Sequence, residues 1–219
     1  MTAQEKEYFC QLLASLFYPP DQELVQQIQQ RTLYSFFEQY IPLWGEEKGL
    51  LKGFLMEGEF ENILEELKNE YDLLFTGLNQ EGISLVESYY KPWTQDPHCS
   101  LPFAKEKGFL MGDSAIHLMA IFQQCGLEVV EPFKGMPDHI IIELEFLSCL
   151  YQEADDRDIK QFIEDHLDWI PVLKENRERV YSHPFYVSLI EVLNLFIRTE
   201  KRRLGRKGDG EKDIHPEVD

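Results

Sequence analysis

Apolar residues recur along this chain at intervals of three and four, the spacing that gathers them on one face of an α-helix. The clearest run is 60 to 76. There Phe60, Ile63, Leu64, Leu67, Tyr71, Leu74 and Phe75 share a face, and Glu61, Glu65, Glu66, Lys68, Asn69 and Glu70 occupy the other. Tyr8, Phe9, Leu12, Leu13, Leu16 and Phe17 predict a helix over 4 to 17, ended by Pro19-Pro20 because proline cannot extend the backbone ladder. A second helix is predicted from Asp21, an N-cap residue type, toward Tyr40. Others are predicted over about 103 to 125, 138 to 152, 157 to 180 and 184 to 204. Ile140-Ile141-Ile142 has the composition of a strand, but Ile140, Leu144, Leu147 and Tyr151 carry a helical face through it. The expected fold class is all-α.

Two stretches break the rhythm. Residues 76 to 102 mix Gly, Pro and aromatics and read as a structured loop holding a short helix. Residues 126 to 137 contain Gly126, Pro132, Gly135 and Pro137 and read as an extended connection between helices. Neither has the composition of a domain linker, so one compact multi-helix domain is expected over 1 to 204, followed by a polar, disordered tail over 205 to 219. The basic residues between Lys201 and Lys207 suit a helix C-terminus, where cations meet the negative end of the dipole.

Charge narrows the partners. The 219 residues carry 21 Lys and Arg against 40 Asp and Glu, a net charge of -19, which repels phosphate backbones, argues against nucleic acid and favours a cationic partner. At 43% hydrophobic and 13% aromatic the chain is too apolar for disorder. No run approaches the eighteen or more apolar residues of a membrane span. The N-terminus places Glu5 and Glu7 among helically spaced apolar residues, unlike a secretory signal. Cys10, Cys99, Cys125 and Cys149 form no CxxC pair and read as reduced, inert thiols. A cytoplasmic protein is expected.

No phosphate loop, GxSxG elbow or HExxH is present, so catalytic chemistry would have to come from a weaker constellation. Pro137-Asp138-His139 suits a helix start, and His139 and Glu143, four apart, would share a face. Three uses are open. A metal-dependent hydrolase would need His139 and Glu143 joined by distant ligands such as His117, Asp165 or His166. A helical assembly subunit would use Asp138 as a cap and His139 for a tertiary hydrogen bond. A peptide-binding protein would offer Asp138 and Glu143 to a guanidinium, with Tyr71, Phe75, Tyr89 and Trp93 lining an apolar groove. Tyr89, Tyr90 and Trp93, in a Pro-containing loop, lean toward the surface. His166 and Trp169, at i and i+3, serve equally as packing residues or as part of a site.

Three segments in order, Glu70-Tyr71 through Leu74-Phe75 to Gly77 (EYDLLFTG), Pro137-Asp138-His139 through Glu143 to Leu147 (PDHIIIELEFL) and His166-Leu167 with Trp169 (HLDWI), resemble the TorD/DmsD/NarJ family. The resemblance spans about 5 to 200. It implies an all-helical cytoplasmic redox enzyme maturation chaperone with no catalytic turnover and no cofactor of its own. Such a protein binds the twin-arginine signal peptide of a molybdopterin-containing oxidoreductase subunit and delays export until the cofactor is inserted. It implies peptide contacts from Tyr71, Leu74, Phe75, Pro137, Asp138 and His139, with Glu143, His166 and Trp169 in support. The loop aromatics Tyr89 and Trp93 complete the expected site. The arginine pair is expected to meet Asp138 while the apolar part of the peptide lies along Tyr71, Leu74 and Phe75. Related chaperones can exchange helices between protomers, with a connection such as 126 to 137 as the hinge, so monomer and homodimer both stay open.

Overall fold

The computed structural model describes residues 1–77, 82–180 and 183–210, with side chains as far as residue 206. Among these residues the chain forms α-helices joined by 3₁₀ turns, and the only β pairing is a single antiparallel bridge between Val86 and His139. The all-α expectation holds. Helix α1 (Ala3–Leu16) starts at a capping box in which Thr2 and Glu5 bond each other's backbone N–H, two orphan donors satisfied reciprocally. Its buried face packs on α6 (Ile140–Glu153), the isoleucine run being helical. Helix α4 (Phe60–Phe75) falls where its periodicity placed it.

The centre is α9 (Pro184–Gly210), whose Phe185, Tyr186, Leu189, Ile190, Leu193 and Phe196 are all wholly buried. Phe9 of α1 stacks on Phe196 at 4.7 Å, and Lys6 reaches Glu200 at 2.8 Å in a buried pair. A 3₁₀ segment, Lys48–Phe54, presses on the same helix so closely that a Cβ at Gly53 would lie 1.9 Å from the Pro184 carbonyl oxygen. Ser188 fastens the approach, accepting from the Gly53 N–H at 2.9 Å and donating to the Leu50 carbonyl at 2.6 Å.

Four boundaries differ from the expectations. The helix predicted from Asp21 to Tyr40 is two, α2 (Gln22–Gln29) and α3 (Thr32–Glu38), because Arg31 takes a left-handed conformation at φ 59°. Asp21 does cap α2, accepting from the Leu24 N–H at 2.9 Å. The helix predicted from 103 begins ten residues later as α5 (Asp113–Gln124), since Gly108 and Met111 adopt positive φ ahead of it. The span 157 to 180 divides into α7 (Asp156–His166) and α8 (Ile170–Glu178), with Pro171 in the first turn of α8, where its missing N–H costs nothing. Helix α9 runs six residues past its predicted end at 204; of the expected tail, residues 211–219 lie outside the described residues.

Candidate functional site

The Pro137-Asp138-His139 segment is a joint. The Asp138 carbonyl accepts from the Glu87 N–H at 2.9 Å, the Ile140 N–H donates to the Leu85 carbonyl at 2.8 Å, and Asp138 Oδ2 accepts from the Ser88 N–H at 2.8 Å. These bonds weld the loop around the 3₁₀ turn Glu87–Tyr89 to the start of α6. His139, not Asp138, caps that helix: its Nδ1 accepts from the Ile141 N–H at 3.2 Å while the ring packs on Phe133. Burial pulls His139 down to about 4, so the ring is neutral at ordinary pH. The expectation that Asp138 presents its carboxylate to a ligand is corrected, because the side chain is wholly buried and holds the loop.

Behind the joint lies a buried charged network. Glu87 is wholly buried, with Lys91 Nζ 2.6 Å from Oε1 and His166 Nδ1 donating to Oε2 at 3.0 Å. His166 Nε2 lies 2.9 Å from His117 Nδ1, and Lys91 also reaches Asp168 at 2.6 Å and the Asp165 carbonyl at 2.7 Å. Burial pushes Glu87 up, yet His166 and Lys91 outweigh it and hold the carboxyl below its ordinary range. Glu143, wholly buried, goes the other way: desolvation and then the charge of Glu87 raise it well above 4.5, with Trp169 Nε1–H, donating at 3.1 Å, pulling weakly back. Glu87 Oε1 is met by Lys91, whereas Glu143 Oε1 has no other hydrogen-bond partner, and the proton retained by Glu143, donated to the Glu87 carboxylate, satisfies it. Asp138 is likewise raised, by burial first, against the bonds from Ser88.

Glu143, His166 and Trp169 are therefore brought together with Asp138, through Glu87. Trp169 stacks on Tyr90 at 5.1 Å, which corrects the surface reading of Tyr90. His139 and Glu143 serve different partners and form no shared site. Among the described residues no group of three His, Cys, Asp or Glu side chains is placed to hold a metal ion. The hydrolase reading thus lacks its ligand set. Leu74 is buried, and Tyr71 and Phe75 are half-buried against Tyr186 of α9, with the Tyr71 hydroxyl donating to the Phe17 carbonyl at 3.2 Å. Desolvation lifts Tyr71 to about 12. Tyr89 is exposed, and Trp93 is half-buried against Phe103.

A surface groove of about 880 Å³ begins at Pro137 and runs along α5 and the following connection. Ile116, Met119, Leu127 and Val130 line it and remain exposed, and Glu128, Glu131 and Lys134 are its charged residues. Sequence reasoning missed these groove residues, as it missed Glu87 and Lys91. The signals were present: Glu87 and Lys91 stand at ion-pair spacing. Helix α5 is apolar on a buried face (Ala115, Leu118, Phe122) and again on an open one (Ile116, Met119), more than one neighbour can cover.

No curated protein matches this sequence. The family model described as nitrate reductase delta subunit matches residues 39–175, a span that contains the EYDLLFTG segment, the joint, the groove and the HLDWI segment. This all-helical chain belongs to the nitrate reductase delta subunit family, a family of maturation chaperones for molybdenum-containing redox enzymes.

Proposed function

We propose that this protein is a cytoplasmic chaperone without catalytic turnover that binds the twin-arginine signal peptide of a molybdoenzyme subunit precursor and keeps it from export until its molybdopterin cofactor is in place. The observation that carries the reading is the open apolar groove abutting the Pro137-Asp138-His139 joint in a member of a maturation family. A cytoplasmic setting agrees with the sparse unpaired cysteines, and no helix among the described residues is long and apolar enough to cross a membrane. The net charge of -19 suits a cationic peptide and steers its approach.

In this reading the expected contact residues divide by exposure. Tyr89, Trp93, Tyr71 and Phe75 keep aromatic surface open outside the groove's lining, whereas Leu74, Asp138 and His139 support from within, together with Glu143, His166 and Trp169. Pro137 stands at the groove's end. The test is capture of twin-arginine precursors from the source cell by the tagged protein. Recovery of one molybdoenzyme precursor, lost when its arginine pair is changed to lysines, is the expected result. Recovery that ignores the arginine pair counts against the reading.

A further inference from the structure

Resting on that reading, we propose that the peptide lies in the α5 groove, its apolar run on Ile116, Met119, Leu127 and Val130 and its arginine pair on Glu128 and Glu131. Those four apolar side chains are 57%, 48%, 45% and 67% exposed, an unusual amount of open hydrocarbon on neighbouring residues of one groove. They are not core residues turned outward by accident, because Leu118 and Phe122 of the same helix already fill the interior. The volume, 880 Å³, lies in the range of built ligand clefts, roughly 300 to 1,000 Å³. Helix α5 has 12 residues and so spans about 18 Å, the length of an apolar helix of equal size laid beside it.

Charge selects the occupant. Of the charged residues lining the groove two are carboxylates, Glu128 and Glu131, both exposed, and one is a cation, Lys134. Asp138, the carboxylate the sequence pointed to, is wholly buried beneath the joint and presents nothing to a bound chain, so the rim supplies the acceptors. Guanidinium groups pair bidentately with carboxylates, a geometry ammonium groups do not reproduce. A second copy of this chain fits poorly, since two molecules of charge -19 repel, and an anionic lipid surface fits poorly for the same reason. An apolar segment preceded by paired arginines meets both the floor and the rim.

The experiment titrates a fluorescent synthetic peptide, two adjacent arginines followed by about twelve apolar residues, into the full-length protein and follows anisotropy at low and high salt. Met119→Asp should weaken binding about tenfold or more by placing a charge on the apolar floor. Glu128→Gln combined with Glu131→Gln should weaken it about tenfold at low salt and flatten the salt dependence. The lysine version of the peptide should bind the wild type less tightly than the arginine version. All three positions are exposed, so circular dichroism and melting should match wild type; if Met119→Asp fails to fold, the glutamine pair carries the test. A wild type that binds no such peptide defeats the chaperone reading itself. A wild type that binds while every groove variant binds equally well defeats only this placement. Self-association, or binding to anionic vesicles, that Met119→Asp abolishes while peptide affinity stays unchanged assigns the groove to another occupant and overturns the proposal.

Discussion

Replacing Glu143 with glutamine should make the protein more stable than wild type by an amount that grows with pH. Glu143 is wholly buried, and desolvation together with the neighbouring Glu87 charge keeps its proton on well above the ordinary 4.5. In the unfolded chain the same carboxyl ionises near 4.5. Between those two values the native state binds one proton more than the unfolded state. Its contribution is therefore complete below 4.5 and is lost as pH rises. The slope is fixed by one proton, about 1.4 kcal/mol per pH unit. Glutamine is neutral at every pH, and its amide can repeat both contacts, accepting from Trp169 Nε1–H and donating to Glu87. The stability difference between Glu143→Gln and wild type should thus be small near pH 4.5 and widen by about 1.4 kcal/mol for each unit above it, up to the native ionisation. Urea unfolding at pH 5, 6 and 7, with equal m values, reads this directly. A difference that stays flat across those pH values, or a variant that is less stable throughout, would refute the shared proton.

His139 tests the opposite sign. Lowered to about 4 from 6.5, its contribution is complete above 6.5 and is lost as pH falls toward 4, so His139→Asn, which keeps a capping acceptor, should lessen the loss of stability over that range. Its ring resonances should not titrate between pH 5 and 8 in an NMR series. Gly53→Ala should cost about 3 kcal/mol in chemical denaturation, because the new Cβ would meet backbone 1.9 Å away, whereas Gly49→Ala, with nothing within 4 Å, should cost little. Asp138→Ala, which leaves the buried Ser88 N–H without its acceptor, should lower the melting temperature and weaken peptide binding without changing its salt dependence, since the side chain is wholly buried; a flattened salt dependence would place Asp138 in contact with the peptide.

Helices α1, α4 and α6 were legible because each has one apolar face and a clear boundary: a cap at Thr2, the polar stretch before Phe60, the proline ahead of His139. The break at Arg31 was not, because arginine carries no turn signal, yet here its backbone is left-handed. The late start of α5 had a sign in Gly108 and Gly112, and the division of α7 from α8 had one in Pro171; periodicity outvoted both. The site was half legible. Motifs brought Asp138, Glu143, His166 and Trp169 forward, but a carboxylate reads as solvent-facing by default, and only its partners reveal a buried one. Glu87, which joins them, sits in a short 3₁₀ turn where its spacing from Lys91 was the one signal to read.

The placement of buried charge explains why three motif residues side by side do different work. Pro137 borders the groove, Asp138 turns inward to Ser88, and His139 caps α6. Helix α5, the groove's wall, is fixed at its start by Asp113, which accepts from the Thr94 hydroxyl and the Gln95 N–H, and further along by His117, which meets His166. His166 in turn is held by Glu87, whose backbone N–H is bonded to Asp138. A single chain of contacts therefore runs from the joint through Glu87 and the two histidines to the helix that carries Ile116 and Met119. Buried ion pairs give modest net stability for their desolvation cost, but each has few alternative geometries, so they suit the task of fixing one helix against another. The exposed apolar face of α5 has nothing of its own to hold its position, and the polar network behind it supplies the rigidity that a groove needs before a flexible peptide arrives.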